Sequence, residues 1–226
     1  MIQLQADASD SIDKTYAGDT LNTATYLARL GDIHGAQVDY MTALGDDEFS
    51  NAMVNQWQSE GIGCSQVRRL PGKLPGLYYV HVDEHGERSF SYWRGEAAAK
   101  DLFKNSTEPK VESLDEYDVI YLSGISLAIL NNESRITLLT LLENAKKSGS
   151  RICFDNNYRP RLWKDIEETQ LWYQRVLRLT DTAFLTFDDE QAVWGDHSPE
   201  DTLQRYADRS IAELVIKCGA EPCLIK

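Results

Sequence analysis

The stretch VIYLSGISLAILNNESRITLLTLLENAKKSGSRICFDNN, residues 119–157, passes from a short apolar run to a helical pattern and back. YDVIYLSG (117–124) reads as a strand, NNESRITLLTLLENAKKSG (131–149) as a helix and RICFD (151–155) as a second strand. The same alternation continues downstream, with DIEETQLWYQRVLRL (165–179) as helix and TAFLTF (182–187) as strand. Short apolar strands separated by amphipathic helices imply a mostly parallel sheet covered on both faces. The predicted class is α/β.

Working upstream, DTLNTATYLARLG (19–31) carries Leu21, Ala24, Leu27, Ala28 and Leu30 at helical spacing, with Asp19 or Thr20 as cap and Gly31 as stop. AQVDYMTALG (36–45) reads as one strand, and DDEFSNAMVNQWQSEG (46–61) as a helix opened by Asp46 or Asp47 and closed by Gly61. CSQVRRL (64–70), GLYYVHVD (76–83) and ERSFSYWR (87–94) alternate differently. They predict antiparallel strands outside the main sheet, the last two joined by a turn over 83–86. With no internal repeat or linker, the reading is a single domain over 1–226 with a small β lid from roughly 5–16 and 64–95.

Composition narrows the function. The chain has 226 residues and a formal net charge of −13, from 36 Asp plus Glu against 23 Lys plus Arg. Phosphate-backbone and anionic-membrane binding rest on clustered cations, so neither partner is expected. No apolar run reaches the roughly 18 residues needed to cross a bilayer, and MIQLQADASD lacks the blocks of a signal peptide, which predicts a cytoplasmic protein. Cys64, Cys153, Cys218 and Cys223 lack a C-x-x-C spacing and read as reduced, mostly buried thiols. His81 and His85 lie in an alternating segment and read as structural or solvated residues rather than metal ligands. At the ends, MIQLQ enters as though a core strand preceded it, and ELVIKCGAEPCLIK (213–226) stops on an apolar strand after a turn over 219–222. Truncation at both ends is the expectation.

In open α/β sheets ligands bind beyond the carboxyl ends of the strands. RICF is followed by Asp155, Asn156, Asn157, Tyr158 and Arg159, with Pro160 forcing an extended backbone on Arg159. A guanidinium there offers a planar fork to a carboxylate or phosphate, while Arg161 suits solvent. The ordinary alternative is that Arg159 pairs with a local acid such as Asp165. AGDTLNTA (17–24) is a second polar cluster, able to meet sugar hydroxyls through Asp19 and Asn22 or simply to cap a helix. In YWRGEAAAK (92–100), Tyr92 and Arg94 share one strand face; Arg94 either adds a cation toward the same anion or is a solvated strand residue.

Taken in order, AGDTLNTATYLARL, TALGDDEFS, LPGLYYV, GERSFSYWRGEAAAK, YLSGISLAIL, FDNNYRPRLW and LTFDDEQAVWG resemble the PfkB/ribokinase family of carbohydrate kinases over nearly the whole chain. The run from YLSGISLAIL to FDNNYRPRLW resembles its keto-deoxy-sugar-acid branch. The resemblance implies a ribokinase-like three-layer α/β/α sandwich with a small β-sheet lid that covers the sugar and commonly forms a dimer contact. It further implies ATP and Mg²⁺, and phosphorylation of 2-keto-3-deoxygluconate at its terminal hydroxyl. Gly18, Asp19, Thr20, Leu21 and Asn22 would hold the sugar, Tyr78 and Tyr92 would close over it, and Arg94 and Arg159 would face its carboxylate. Asn157, Thr186, Lys217 and Gly219 would lie near the nucleotide. Thr186 and Asp189 stand where relatives often have Asn-x-x-Glu, with Asp189 as the candidate metal ligand.

Two further departures matter. Ala17 replaces a common glycine and is tolerable only with a negative φ. The family's Gly-Ala-Gly-Asp motif, whose Asp deprotonates the acceptor hydroxyl, does not occur; Gly45-Asp46-Asp47 follows an early strand and caps a helix instead. The base is therefore expected beyond Lys226. A neutral-sugar kinase and a non-catalytic sugar-acid-binding relative are the alternatives.

Overall fold

A computed structural model describes residues 1–6, 11–31, 35–83, 85–104, 113–207 and 209–226. Two compact units, Met1–Val111 and Glu112–Lys226, are described in turn.

In the first unit the alternating start of the chain forms β1 (Ile2–Ala6) and β2 (Ile12–Tyr16), followed by α1 (Asp19–Gly31). Next come β3 (Val38–Asp39), β4 (Thr42–Leu44), α2 (Glu48–Ser59), β5 (Ile62–Gly63), β6 (Val67–Arg69), β7 (Leu77–Val82) and β8 (Arg88–Trp93). A four-stranded sheet runs β2-β1-β7-β8, with β1 parallel to β7 and the outer pairs antiparallel. Residues 7–10 of the expected lid, and Glu84 of its hairpin turn, lie outside the described residues.

Two readings need correction. Residues 36–45 are not one strand, because β3 pairs with β5 while β4 pairs with β6. Residues 64–70 do not join the antiparallel sheet, because β6 is parallel to β4. The cause is connectivity: α2 stands between the partners, and a strand that returns through a helix returns parallel, whereas only a short turn permits the antiparallel pairing of β7 and β8.

Leu21, Ala24 and Ala28 of α1 pack with Met53 and Trp57 of α2, and with Ile2, Leu44 and Ile62. Leu27 and Leu30 are exposed, since the buried stripe is centred on 21, 24, 28 and 31 and both leucines fall beside it. The helix starts one residue earlier than expected, so Gly18 rather than Asp19 or Thr20 stands at its mouth, its carbonyl accepting the Asn22 N–H at 2.8 Å.

Asp47 caps α2, accepting from the Ser50 amide at 3.0 Å and from the Ser50 hydroxyl. Burial pulls its carboxyl up, but the bonds from Ser50 and nearby amides outweigh this and hold its pKa below the ordinary value. Asp47→Ala is therefore expected to cost about 1 kcal/mol of stability at neutral pH. A carboxyl with a lowered folded pKa stabilises above its unfolded pKa, and that contribution is lost as pH falls through the folded value. Thermal unfolding of both proteins at pH 7 and in acid should show a gap that closes in acid; a constant gap would remove the carboxylate as its cause.

The second unit contains β9 (Val119–Ser123), α3 (Gly124–Ala128), α4 (Asn132–Lys147), β10 (Arg151–Asp155) and α5 (Ile166–Leu177). It continues with β11 (Thr182–Thr186), α6 (Phe187–Trp194), α7 (Pro199–Arg205), β12 (Glu213–Cys218) and β13 (Glu221–Ile225). The sheet order is β13-β12-β11-β10-β9, parallel from β9 to β12 and closed by an antiparallel β13. Asn131 and Asp165 cap α4 and α5 by accepting the amides of Ser134 and Glu168, each at 2.8 Å. Ile152, Phe154, Leu185 and Ile216 of the strands and Leu142, Ala145 and Val176 of the helices are completely buried.

The cysteines are free, but Cys64, Cys153 and Cys218 are only half-buried and Cys223 is exposed, a correction to the expected burial. Cys223 lies on β13, which among the described residues is an edge strand. No helix among the described residues is long and apolar enough to cross a membrane.

Candidate functional site

Four parallel strands deliver polar residues at the carboxyl edge of the second unit. Ser123 ends β9, Asp155 ends β10, Thr186 ends β11, and Lys217 stands one residue from the end of β12. In register, Ser123 is opposite Asp155 and Thr186 is opposite Lys217. Lys217 Nζ reaches across β11 to both Asp155 oxygens, at 2.9 and 3.1 Å. A phosphate arriving at Lys217 would have to compete with that carboxylate. Asp155 is thus a member of the cluster to which no role was given from sequence; its place directly after an apolar strand was the available signal.

The loop after β10 is held by every neighbour it meets. Asn156 is fully buried; its side-chain oxygen accepts the Thr186 N–H at 3.0 Å and its amide donates to Thr186 O at 3.2 Å and Glu190 Oε1 at 2.9 Å. Asn157 follows with φ of 29°, in the left-handed region, and its N–H points to Asn156 Oδ1 at 2.8 Å. The Tyr158 N–H donates to Asp189 Oδ2 at 2.9 Å. Arg159 is exposed and donates to the Tyr158 carbonyl at 2.7 Å. The local pairing with Asp165 is not formed; Asp165 instead caps α5 and meets Lys164 at 3.4 Å. Arg161 is exposed, and Gly219 opens the turn into β13 with φ of 63°.

Burial pushes the Asp189 carboxyl above its ordinary range, while the Tyr158 amide and the positive charges of Arg159 and Lys217 pull the other way. One of its oxygens is committed to the loop, which leaves the other as its free coordination point. No group of three or more His, Cys, Asp or Glu among the described residues could hold a metal by itself. Such a donor set fits a Mg²⁺ carried mainly by phosphates and water, with at most one protein carboxylate. Glu190, one residue further along α6, was missed: it is completely buried and accepts from Asn156, Tyr206 and Arg205. Its place shortly after an apolar strand was the signal available.

The first unit holds a separate cluster. Thr15, Gln3, Tyr78 and Tyr92 are cross-strand neighbours in one row of the four-stranded sheet and therefore share a face. The Tyr78 and Tyr92 rings stand 5.8 Å apart, and the Arg94 guanidinium lies 4.2 Å from the centre of the Tyr92 ring. Tyr78 is buried and donates to Gln3 Oε1, while Tyr92 is 45% exposed.

Gly18 and Asp19 are partly exposed, and Thr20 shares a hydrogen bond of 2.9 Å with the Tyr40 hydroxyl. Burial lifts the pKa of that phenol to about 12, so it remains protonated at neutral pH. Leu21 is in the core, which restricts any ligand contact at that position to the backbone. Asn22 lines a hollow of about 190 Å³ with Tyr16, Thr25, Arg29, Trp57 and Glu60. Asn157 is the one non-glycine residue of positive φ among the described residues, so Ala17 keeps the negative φ it needs.

Comparison with known proteins places this arrangement. The pattern of the pfkB family of carbohydrate kinases matches residues 3–226. The 2-dehydro-3-deoxygluconokinase of Escherichia coli K12 is 47% identical over all 226 residues, which span 73% of that protein. The enzyme of the same name from Dickeya dadantii 3937 is 46% identical over the whole chain, again spanning 73% of its length. Among solved structures, the fructokinase of Vibrio cholerae O395 in its fructose-, ADP- and calcium-bound form aligns with a TM-score of 0.80 at 26% identity, covering 100% of this chain and 70% of that one. The ribokinase-like fold follows from this likeness, and with it the chain belongs to the pfkB family of carbohydrate kinases.

Proposed function

We propose that this protein transfers the γ-phosphoryl group of ATP to the terminal hydroxyl of 2-keto-3-deoxygluconate, giving the 6-phosphate. The observation that carries the reading is the identity of 46–47%, over every residue of the chain, with enzymes named 2-dehydro-3-deoxygluconokinase. The site chemistry supports it. Arg159 stands exposed on a tightly held loop, where a guanidinium can take the planar carboxylate that distinguishes an acid sugar from a neutral one.

In this proposal Gly18, Asp19, Thr20 and Asn22 bind the sugar hydroxyls, Leu21 contributes backbone only, Tyr78 and Tyr92 pack on the sugar, and Arg94 is the second cation for the carboxylate. Asn157, Thr186, Lys217 and Gly219 attend the nucleotide. Mg²⁺, when bound, neutralises phosphate charge, with Asp189 as the protein carboxylate near it. Lys217 then acts as a point charge on the phosphates once they displace Asp155. No carboxylate within 1–226 is assigned as the general base. Self-association through the four-stranded sheet belongs to the same reading, since Ile12, Phe90 and Trp93 leave apolar surface on it exposed; light scattering giving a monomer mass would remove it.

ADP release from the protein isolated from its native source, measured with 2-keto-3-deoxygluconate, fructose and ribose, tests the activity. Release with the acid sugar alone is the expected result. Preference for either neutral sugar would overturn the substrate assignment, and tight binding of the acid sugar without ADP release from any of the three would identify a non-catalytic relative.

A further inference from the structure

We infer that Tyr173 is a positioning residue for sugar-acid recognition, fixing the peptide plane on which the Arg159 loop is built. This rests on the proposed contact between Arg159 and the sugar carboxylate.

Tyr173 lies on α5 and is completely buried. Its hydroxyl donates a close hydrogen bond to the Asn156 carbonyl. Its ring meets the edges of Phe154 and Trp163, with centroids 5.3 and 5.7 Å away. Both ends of the loop from Asn156 to Trp163 therefore rest on one side chain, the start on its hydroxyl and the end on its ring. The fit is closed from the other side by Gly124, where an added Cβ would lie 2.0 Å from the Asn156 carbonyl oxygen and 2.1 Å from the Tyr173 hydroxyl.

A peptide unit is planar, so fixing the Asn156 carbonyl also fixes the N–H of Asn157. That N–H is received by Asn156 Oδ1 at 2.8 Å and Asp155 Oδ1 at 3.2 Å, which pins the plane at both ends. The next residue is the left-handed Asn157, a conformation that a side-chain-bearing residue keeps only where its surroundings hold it. Without the hydroxyl the plane can rotate, Asn157 can relax toward negative φ, and Tyr158 and Arg159 leave their places. Burial holds the Tyr173 phenol well above its ordinary pKa, so it remains a donor across the neutral range.

The test is a four-protein cycle read as the dissociation constant for 2-keto-3-deoxygluconate by titration calorimetry: the unaltered chain, Tyr173→Phe, Arg159→Ala and the double variant. Phe keeps both ring contacts and removes only the donor. Tyr173→Phe is expected to weaken binding about fivefold to tenfold. In the Arg159→Ala background the same change should matter less than about twofold. Asn157→Gly, which makes the left-handed turn costless, should restore affinity to Tyr173→Phe.

Unchanged affinity in Tyr173→Phe, or an equal loss in both backgrounds, overturns the positioning role while leaving Arg159 in place. Unchanged affinity in Arg159→Ala instead removes the carboxylate contact, and this inference with it. If Tyr173→Phe does not fold, the cycle is read with Asn157→Ala, which strains the same peptide from its other side, and the same outcomes decide.

Discussion

Replacing Glu190 by Ala is expected to cost about 3–5 kcal/mol of stability, because it leaves the buried Tyr206 hydroxyl and Asn156 amide short of acceptors and takes one of two carboxylates from Arg205. Glu190 Oε2 accepts from Arg205 at 3.1 Å and from the Tyr206 hydroxyl at 2.9 Å, while Oε1 holds Asn156 at 2.9 Å. Burial pushes the carboxyl up, and Arg205 with its hydrogen-bonding partners opposes that shift. Removal would leave Tyr206 without its acceptor, Asn156 with only the Thr186 carbonyl for its amide, and Arg205 with Asp196 as its remaining carboxylate. Glu190→Gln keeps an acceptor for Asn156 but offers an amide donor to two donors, so it should fall between the two. Since 1 kcal/mol moves the midpoint by roughly 2–4 °C in a chain of this size, thermal unfolding should register a drop of about 10 °C for Glu190→Ala. A drop of only a degree or two would mean that Arg205 and Asn156 find other partners, and that the carboxylate does not tie the β10 loop to α7.

Glu190 also shows where sequence reading ran out. Helical spacing placed α2, α4 and α5, with caps read for α2, and the apolar runs located β9 to β12, because those patterns are local consequences of one buried face. The short helices α3, α6 and α7 were not legible. Each has eight residues or fewer, too few for a stripe to repeat, and the first turn of α6 carries three consecutive acids, which in a linear reading look like a solvated loop. The split of 36–45 was missed for another reason. Strand pairing depends on which partner α2 brings alongside, and that is not a property of the strand itself.

The site divides in the same way. The residues that follow β10, Asp155, Asn157 and Arg159, could be picked out because topology alone puts them at the carboxyl edge, whereas Thr186 came from the family resemblance. Their partners could not: Asp189 accepting the Tyr158 amide, Lys217 reaching Asp155 and Tyr173 holding the Asn156 carbonyl join residues 17 to 62 positions apart in the chain, with no common period. Leu21 shows a different limit of a motif carried over as a block. Its side chain belongs to the core, so any part it has in the sugar site passes through the backbone alone.

The sharpest consequence for function concerns Arg159. Arg159→Ala should weaken 2-keto-3-deoxygluconate binding by about 2–3 kcal/mol, or roughly 30- to 150-fold, and leave binding of a neutral sugar nearly unchanged. The lower part of the range for a carboxylate pair applies because the guanidinium is exposed before the ligand arrives and already donates to the Tyr158 carbonyl. Arg159→Lys keeps the charge but loses the planar fork, so it should recover only part of the affinity. Added salt should narrow the difference between Arg159 and Ala, as it screens an exposed charge more than a buried one. Arg159→Ala also removes a positive charge that lowers the Asp189 carboxyl, so that group should titrate at still higher pH in the variant. Calorimetry with the acid sugar at two salt concentrations reads the first effect, and carboxyl chemical shifts followed against pH read the second. If affinity is unchanged while the Asp189 shift appears, Arg159 serves the acidic cluster rather than the substrate. Discrimination between acid and neutral sugars would then have to reside in the first unit, where Arg94 over the Tyr92 ring is the remaining candidate.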